Sequence, residues 1–498
     1  MTTVDGVDGR DGVDPARCGC AGKTPLERVV LPARARVADA LADTTVSLGP
    51  DADAAVIPAS ATPPATAFER ETDAVALDGT RPRTPFGGDD RERPVTTVAC
   101  AFLGGDLADP DRLGDALATA YAGLDGPPVR IGKGHAVQVP GATGGTVWFE
   151  HRRARAEAGG TADGIARDAA TGVAAESPVE SAAGDGAAAV AANVDAVRAF
   201  PGISPAESAR IAALNALNDA HAVGATTDRS VRPLVATPRD ETPDPDRVRE
   251  WYRSGLPSDV TVRAAAVLAH DGDGWFFGAS ASARGDRPAD VAGRNSRSLP
   301  VGCEVLVTRP LGGLACFARG VARGDEGLEA RGLTRLGRDT RPEATALSAF
   351  RPAPRESFDP AEHVARVTDV SGEGIAGIGR LAAGTGRSLR LDRLPLLDGA
   401  ASATDWTVPD ATVETNGPLA VVATPRVLDR VADRLHAVEG ADPRRIGAVV
   451  DAAATGDPVA GDAPVVDATA GDLTAAVEAA SRWPSIDPVG TDGGDADA

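Results

Sequence analysis

The residues best suited to chemistry are two cysteines, two lysines and four aspartates. Cys18-Gly19-Cys20-Ala21-Gly22-Lys23 sets two thiols one residue apart in a glycine-rich stretch. That spacing lets both sulfurs face one small electrophile or soft metal, and a nearby ammonium lowers a thiolate pKa or meets a phosphate. The plainer reading of the same residues is a pair of inert thiols. Lys23 and Lys133 are the only lysines among 51 basic residues, so each stands where arginine is the default. Lys133 lies in Ile131-Gly-Lys133-Gly-His135, a glycine-flanked lysine suited to an anion but without the full frame of a phosphate-binding P-loop.

Four aspartates have telling settings. Asp53 leads into Ala54-Ala-Val-Ile57, a short strand, and Asp195 follows Val190-Ala-Ala-Asn-Val194 at the expected end of another. Asp219 shares a helix face with Asn215, four residues earlier. Asp369 ends Val364-Ala-Arg-Val-Thr368 and opens Val370-Ser-Gly-Glu-Gly374, a turn able to bring backbone amides near an anion. Hard oxygen ligands of this kind suit a magnesium–triphosphate site. In a chain with 72 acidic residues, a solvated or capping aspartate is the alternative at each position.

The elements that must carry these groups read as mixed α/β. Ser204-Pro205-Ala206-Glu207 is a capping box with proline in the first turn, and it predicts a helix through about His221 with Ile211, Leu214 and Leu217 on one buried face. Strands are expected at 301–308 and 419–423, the second followed by a helix over 426–438 opened by Thr424-Pro425. A strand, an Asp-Pro-opened helix and a second strand occur twice, from Thr96 through Asp109 to Gly132 and from Val231 through Asp244 to Ala266. Duplication explains this, and so does the frequency of Asp-Pro at helix starts. Cys303 and Cys316 read as buried thiols, and His151, His221, His363 and His436 as surface, helix-end or packing residues.

With 498 residues the chain has room for about two to four domains. A net charge of −21 disfavours nucleic acid and anionic membranes as partners, and near absence of lysine beside many acids suits a salt-rich cytosol. No stretch reaches the roughly 20 apolar residues that span a bilayer. The N-terminus lacks the features of an export signal and five cysteines form no disulfide framework, so a cytoplasmic location is expected.

In order along the chain, Cys-Gly-Cys…Lys, Asp-Ala-Ala-Val, a strand carrying Asp195, Arg210-Ile-Ala-Ala-Leu-Asn-Ala-Leu-Asn-Asp219, Val301-Gly-Cys-Glu-Val-Leu-Val-Thr-Arg-Pro-Leu-Gly-Gly313 and Val367-Thr-Asp-Val-Ser-Gly-Glu-Gly374 resemble selenophosphate synthetase (selenide, water dikinase) of the AIR-synthase-like superfamily. The resemblance implies a two-domain α/β (α+β) fold: an N-terminal sheet domain forming a barrel in a homodimer, and a C-terminal α/β sandwich. The corresponding divisions are a flexible arm (1–30), an ATP/magnesium domain (31–290) with an insertion at about 58–186, a second domain (298–465) and an acidic tail region (466–498). It further implies conversion of selenide, ATP and water to selenophosphate, AMP and phosphate. Cys18 is then the selenium-handling nucleophile, Lys23 a phosphate contact and catalytic partner, Asp53, Asp219 and Asp369 the Mg2+ ligands, and Asp195 a nucleotide contact. Lys133 either stands, in a duplicated half-motif, for a glycine-histidine loop missing from its usual place, or lies in a chance glycine loop. Relative to the family pattern, Ala21-Gly22 intervenes before the lysine, Ala52 replaces one acid, and Val413-Glu-Thr-Asn-Gly417 is a reduced form of a substrate-side element. Another ATP-using enzyme of the superfamily, or a catalytically degenerate regulatory homologue, remains open beside this reading.

Overall fold

The computed structural model describes residues 18–20, the strands between 47 and 154, most of 189–451 and residues 465–466. In chain order, the first seven strands are β1 (Ser47–Leu48), β2 (Ala55–Pro58), β3 (Ala74–Ala76), β4 (Thr96–Gly104), β5 (Pro128–Ile131), β6 (His135–Val139) and β7 (Gly145–Ala154). The next five are β8 (Ala189–Arg198), β9 (Thr227–Pro238), β10 (Thr261–Val262), β11 (Ala266–His270) and β12 (Phe276–Gly285). The last six are β13 (Glu304–Val307), β14 (Arg366–Asp369), β15 (Arg387–Leu391), β16 (Leu419–Ala423), β17 (Arg444–Asp451) and β18 (Val465–Val466). The α-helices among the described residues are α1 (Pro205–Ala222), α2 (Pro245–Gly255), α3 (Gly313–Arg323), α4 (Glu326–Leu336), α5 (Arg341–Ser348) and α6 (Pro425–His436).

The expected mixed α/β class is what the chain adopts, with three six-stranded sheets among the described residues. One has the order β1-β5-β7-β4-β3 with β6 on β7, so the strands β3 to β7 build most of a sheet within the stretch expected as an insertion. The second runs β10-β9-β12-β8-β2 with β11 on β9, and the third β14-β16-β13-β17-β15-β18. The repeated strand-helix-strand stretches are wired differently. β4 and β5 flank β7, whereas β10 and β11 pair directly and in parallel with β9. The helix expected after Asp109 lies outside the described residues.

The second sheet holds up the site. β12 runs antiparallel between β8 and β9, and α1 packs across all three. Ser204 and Glu207 close the anticipated capping box at the start of α1. The single buried face was too narrow an expectation, because every residue of α1 from Ile211 to Ala222 is buried. Alanine and asparagine at the positions between leucines leave no large side chain to hold off a second layer. The sheet therefore covers one side and the C-terminal half the other.

In that half, β16 and α6 fall where the sequence put them. Val427, Leu428, Val431 and Leu435 form the buried stripe of α6. Thr424 takes the cap position without capping, since its hydroxyl donates to the Pro360 carbonyl at 3.0 Å. The strand expected from 301 begins at Glu304, after a turn in which Gly302 has φ +89°. Cys303 and Cys316 are buried as anticipated. Among the described residues no helix is long and apolar enough to cross a membrane.

Helices α3 and α4 touch backbone to backbone. A Cβ at Gly332 would lie 2.3 Å from the Phe317 nitrogen, and one at Gly320 2.3 Å from that of Glu329. Gly332→Ala is therefore expected to cost about 1–3 kcal/mol by overpacking, read as a lower urea midpoint with unchanged slope; an unchanged midpoint would contradict this packing.

Candidate functional site

The site grows from a match between two periodicities. Alternate residues of a strand share a face and lie about 6.6 Å apart, while residues four apart on a helix share a face and lie about 6 Å apart. Asn193 and Asp195 on β8 therefore oppose Asp219 and Asn215 on α1. The Asn193 amide donates to Asp219 Oδ2, and the Asn215 amide donates to Asp195 Oδ2. All four side chains are buried. Each carboxylate meets an amide across the gap, and the two acids occupy opposite corners of the square.

Asn215 then reaches two further parts of the chain. Its Oδ1 accepts the Asn416 backbone N–H at 2.6 Å and the Cys20 thiol at 3.9 Å. Cys20 N–H donates to Thr415 Oγ1 at 2.8 Å. Gly19 exchanges backbone hydrogen bonds with Arg198 at the end of β8, at 3.1 and 3.3 Å. The arm expected to be flexible is, over residues 18–20, clamped between the halves, with Cys18 0% and Cys20 2% exposed.

Residues 412–417 are the other wall. Asn416 adopts φ +54°, its side chain donating to the carbonyls of Leu336 at 2.8 Å and Arg338 at 2.6 Å, at and just beyond the end of α4. The Gly417 carbonyl accepts from Asn218 at 3.1 Å and from Arg309 at 2.9 Å. Gly417 must be glycine, since a Cβ there would lie 1.9 Å from the carbonyl oxygen of Val370. Through this contact the turn after Asp369 abuts the segment gripped by Asn218, the neighbour of Asp219. Asp369 itself is buried as the last residue of β14.

Glu414 accepts backbone N–H groups from Gly312, from Gly313 at 3.0 Å and from Leu314 at 3.4 Å, covering the N-terminus of α3. Burial pushes its carboxyl up to about 7, against those hydrogen bonds and the nearby Arg309 guanidinium, which favour the charged form. On the far side, Thr340 donates to Asn218 Oδ1 at 2.7 Å and meets His221 Nδ1 at 2.9 Å. With its one proton committed, the hydroxyl accepts from His221, which carries its hydrogen on Nδ1. Burial lowers the His221 pKa to about 4, leaving it neutral and a packing residue, as read from the sequence.

Of the residues singled out in the sequence, Cys18, Asp195, Asp219 and Asp369 are described and buried. Asp195 lies within β8 rather than at its end, so its side chain faces α1 instead of a loop. Asp53, which precedes β2, Lys23, and Lys133, between β5 and β6, lie outside the described residues. Sequence reasoning missed Asn193, whose signal was its place two residues before Asp195. It also missed the roles of Glu414, Thr415 and Asn416. Among the described residues, no group of three His, Cys, Asp or Glu side chains forms a metal cage.

No protein-family model and no curated protein sequence matches the chain. Solved structures resemble it in part. Protein tt0281 from Thermus thermophilus is 17% identical with a TM-score of 0.41, covering 56% of this chain and 85% of that one. HypE, a hydrogenase maturation protein of E. coli, is 16% identical with a TM-score of 0.41, covering 53% and 79%. Thiamine-monophosphate kinase from Stenotrophomonas maltophilia is 17% identical with a TM-score of 0.40, covering 56% and 85%. Likeness at this level assigns no activity to the chain.

Two outcomes follow from the geometry. Asn215→Leu strips Asp195, the Asn416 N–H and Cys20 of one shared partner and should cost about 3 kcal/mol or more, measured by urea unfolding; a loss under about 1 kcal/mol would contradict the shared node. For Glu414, the folded pKa near 7 exceeds the ordinary 4.5, so its contribution is fullest below 4.5 and is lost as pH rises through 7. Glu414→Gln should flatten that part of the stability profile, and an unchanged slope from pH 4.5 to 7 would count against it.

Proposed function

We propose that the chain is an ATP-dependent phosphoryl-transfer enzyme that phosphorylates selenide, or a closely related soft nucleophile, releasing AMP and phosphate. The observation that carries this is the docking of Cys18-Gly19-Cys20 at the junction of the two halves, where the Cys20 thiol donates to the amide oxygen of Asn215, whose nitrogen holds the buried Asp195. The motif order that resembles selenophosphate synthetase supplies the substrate. Within this reading the protein is a homodimer with a small-molecule substrate, Cys18 handles selenium, Lys23 and Lys133 meet phosphates, and Asp195 assists the nucleotide.

Magnesium fits the donor set. Mg2+ takes hard oxygen ligands and completes its octahedron with substrate phosphates and water, and Asp219 and Asp369 are buried carboxylates of that kind. Asp219 and Asp369, with Asp53, would hold it, and when bound it neutralises charge developing on the phosphates. The protein's own contribution is positional. Asn193 keeps one oxygen of Asp219 engaged and so orients the other, and Asn215 does the same for Asp195.

Burial of both thiols favours a second reading, in which the carboxylates serve another ATP-using reaction without Cys18. The two separate in an assay of the full chain in high salt, with nucleotide products resolved by chromatography. Magnesium-dependent AMP formation stimulated by selenide, lost in Cys18→Ser and reduced about a hundredfold or more in Asp219→Asn, is expected. Turnover that stops at ADP, or ignores selenide and Cys18, would establish the second reading instead.

A further inference from the structure

Two stretches of the chain carry one helix-start signal, a hydroxyl residue followed three positions later by glutamate, with proline in the first turn. In Ser204-Pro205-Ala206-Glu207 both polar side chains serve their own helix. In Thr340-Arg341-Pro342-Glu343, at the start of α5, neither does. Thr340 takes the cap position with helical backbone angles and makes no capping hydrogen bond. Its hydroxyl donates instead to Asn218 Oδ1 at 2.7 Å and accepts from His221 Nδ1 at 2.9 Å, so two side chains one turn apart on α1 share it. Glu343 Oε1 accepts from Arg309 at 3.3 Å and from Arg338 at 3.0 Å, and Arg309 in turn holds the carbonyls of Asn416 and Gly417. A strong local preference overridden in this way is the mark of a demand made elsewhere in the structure.

The residues beside Thr340 fix where it stands. Asp339 accepts from Arg229 of β9 at 2.7 Å and from the Arg341 N–H at 2.9 Å. Arg341 reaches Asp259 at 2.6 Å, and Asp259 itself holds Arg229 at 2.9 and 3.0 Å. Thr340 is thus tied to the N-terminal half through both neighbours and is buried. Because its proton goes to Asn218 Oδ1, the Asn218 amide is turned with its nitrogen toward the Gly417 carbonyl, to which it donates at 3.1 Å. We propose that Thr340 is a positioning residue of the phosphoryl-transfer site, fixing Asn218 and, through their shared backbone, the direction in which the adjacent Asp219 presents its carboxylate. Helix α1 is then held against rotation on two faces, by the Asn193–Asp219 and Asn215–Asp195 pairs and by Thr340. The role rests on the proposed function, because Asp219 is the ligand it serves, and titration separates the two.

The full chain in high salt is titrated with Mg-ATP as wild type, Thr340→Val and Thr340→Ser. Valine keeps the shape of threonine without its hydroxyl, and serine keeps the hydroxyl. Thr340→Val should weaken magnesium-dependent binding about tenfold, the loss of one buried hydrogen bond, and Thr340→Ser should stay within about threefold of the wild type. With the histidine rings isotopically labelled, NMR should show a hydrogen-bonded Nδ1 proton on His221 in the wild type and in Thr340→Ser but not in Thr340→Val, a signature that instability alone does not produce. Binding by Thr340→Val equal to the wild type, equal weakening in both variants, or a wild-type His221 without that proton would overturn the role and leave the function standing. No binding by the wild-type chain would remove the function and the role with it. Should Thr340→Val not fold, Thr340→Ala is judged against Thr340→Ser on the same terms.

Discussion

The crossed pairing of Asn193 with Asp219 and of Asp195 with Asn215 is the constraint on which the site depends. Two carboxylates in a dry interior repel each other and lose their hydration, a cost that fixed amide donors offset. Because the pairing spans two positions on β8 and four on α1, it admits one register. A one-residue slip of β8 would turn both polar side chains to the other face of the sheet. The same asparagine that satisfies Asp195 receives the Asn416 backbone and the Cys20 thiol. Register of the N-terminal sheet, seating of the C-terminal half and burial of the thiols are thus coupled through a single amide group.

The C-terminal half secures its wall by comparable means. Arg309 is buried and holds the carbonyls of Asn416 and Gly417 while its guanidinium pairs with Glu343 at 3.3 Å. Glu414 anchors the other end of the same segment on the first turn of α3 by accepting from its exposed backbone amides. An outer ion network adds a further brace: buried Arg229 of β9 reaches Asp259 at 2.9 Å and Asp339, beside α5, at 2.7 Å. Of the acids on which the proposed chemistry rests, Asp195, Asp219 and Asp369 are buried, a small share of the 72 acidic residues of the chain.

Much of the scaffold was legible in the sequence because its signals are local. Ser204-Pro205-Ala206-Glu207 states a capped helix start, and Leu419–Ala423 is an apolar run ended by Thr424-Pro425. Asp219 and Asn215 could be placed on one helix face by spacing alone. What was not legible is tertiary. Asp195 reads as a strand end because it follows the run Val190-Ala-Ala-Asn-Val194, yet β12 pairs with β8 through Arg198. The positive φ of Asn416 and the closeness of Gly417 to Val370 exist only once β14 and β16 lie side by side. Glycines around Cys18 suggest freedom, and Gly19 instead serves close approach. Composition cannot tell these uses apart.

The proposed function requires that the buried acids near the Cys-Gly-Cys segment bind Mg-ATP. Isothermal titration of the full chain with Mg-ATP in high salt tests it most directly. Saturable, magnesium-dependent binding that is abolished in Asp219→Asn is expected. No binding by the wild-type chain, or binding indifferent to magnesium and to Asp219, would contradict it.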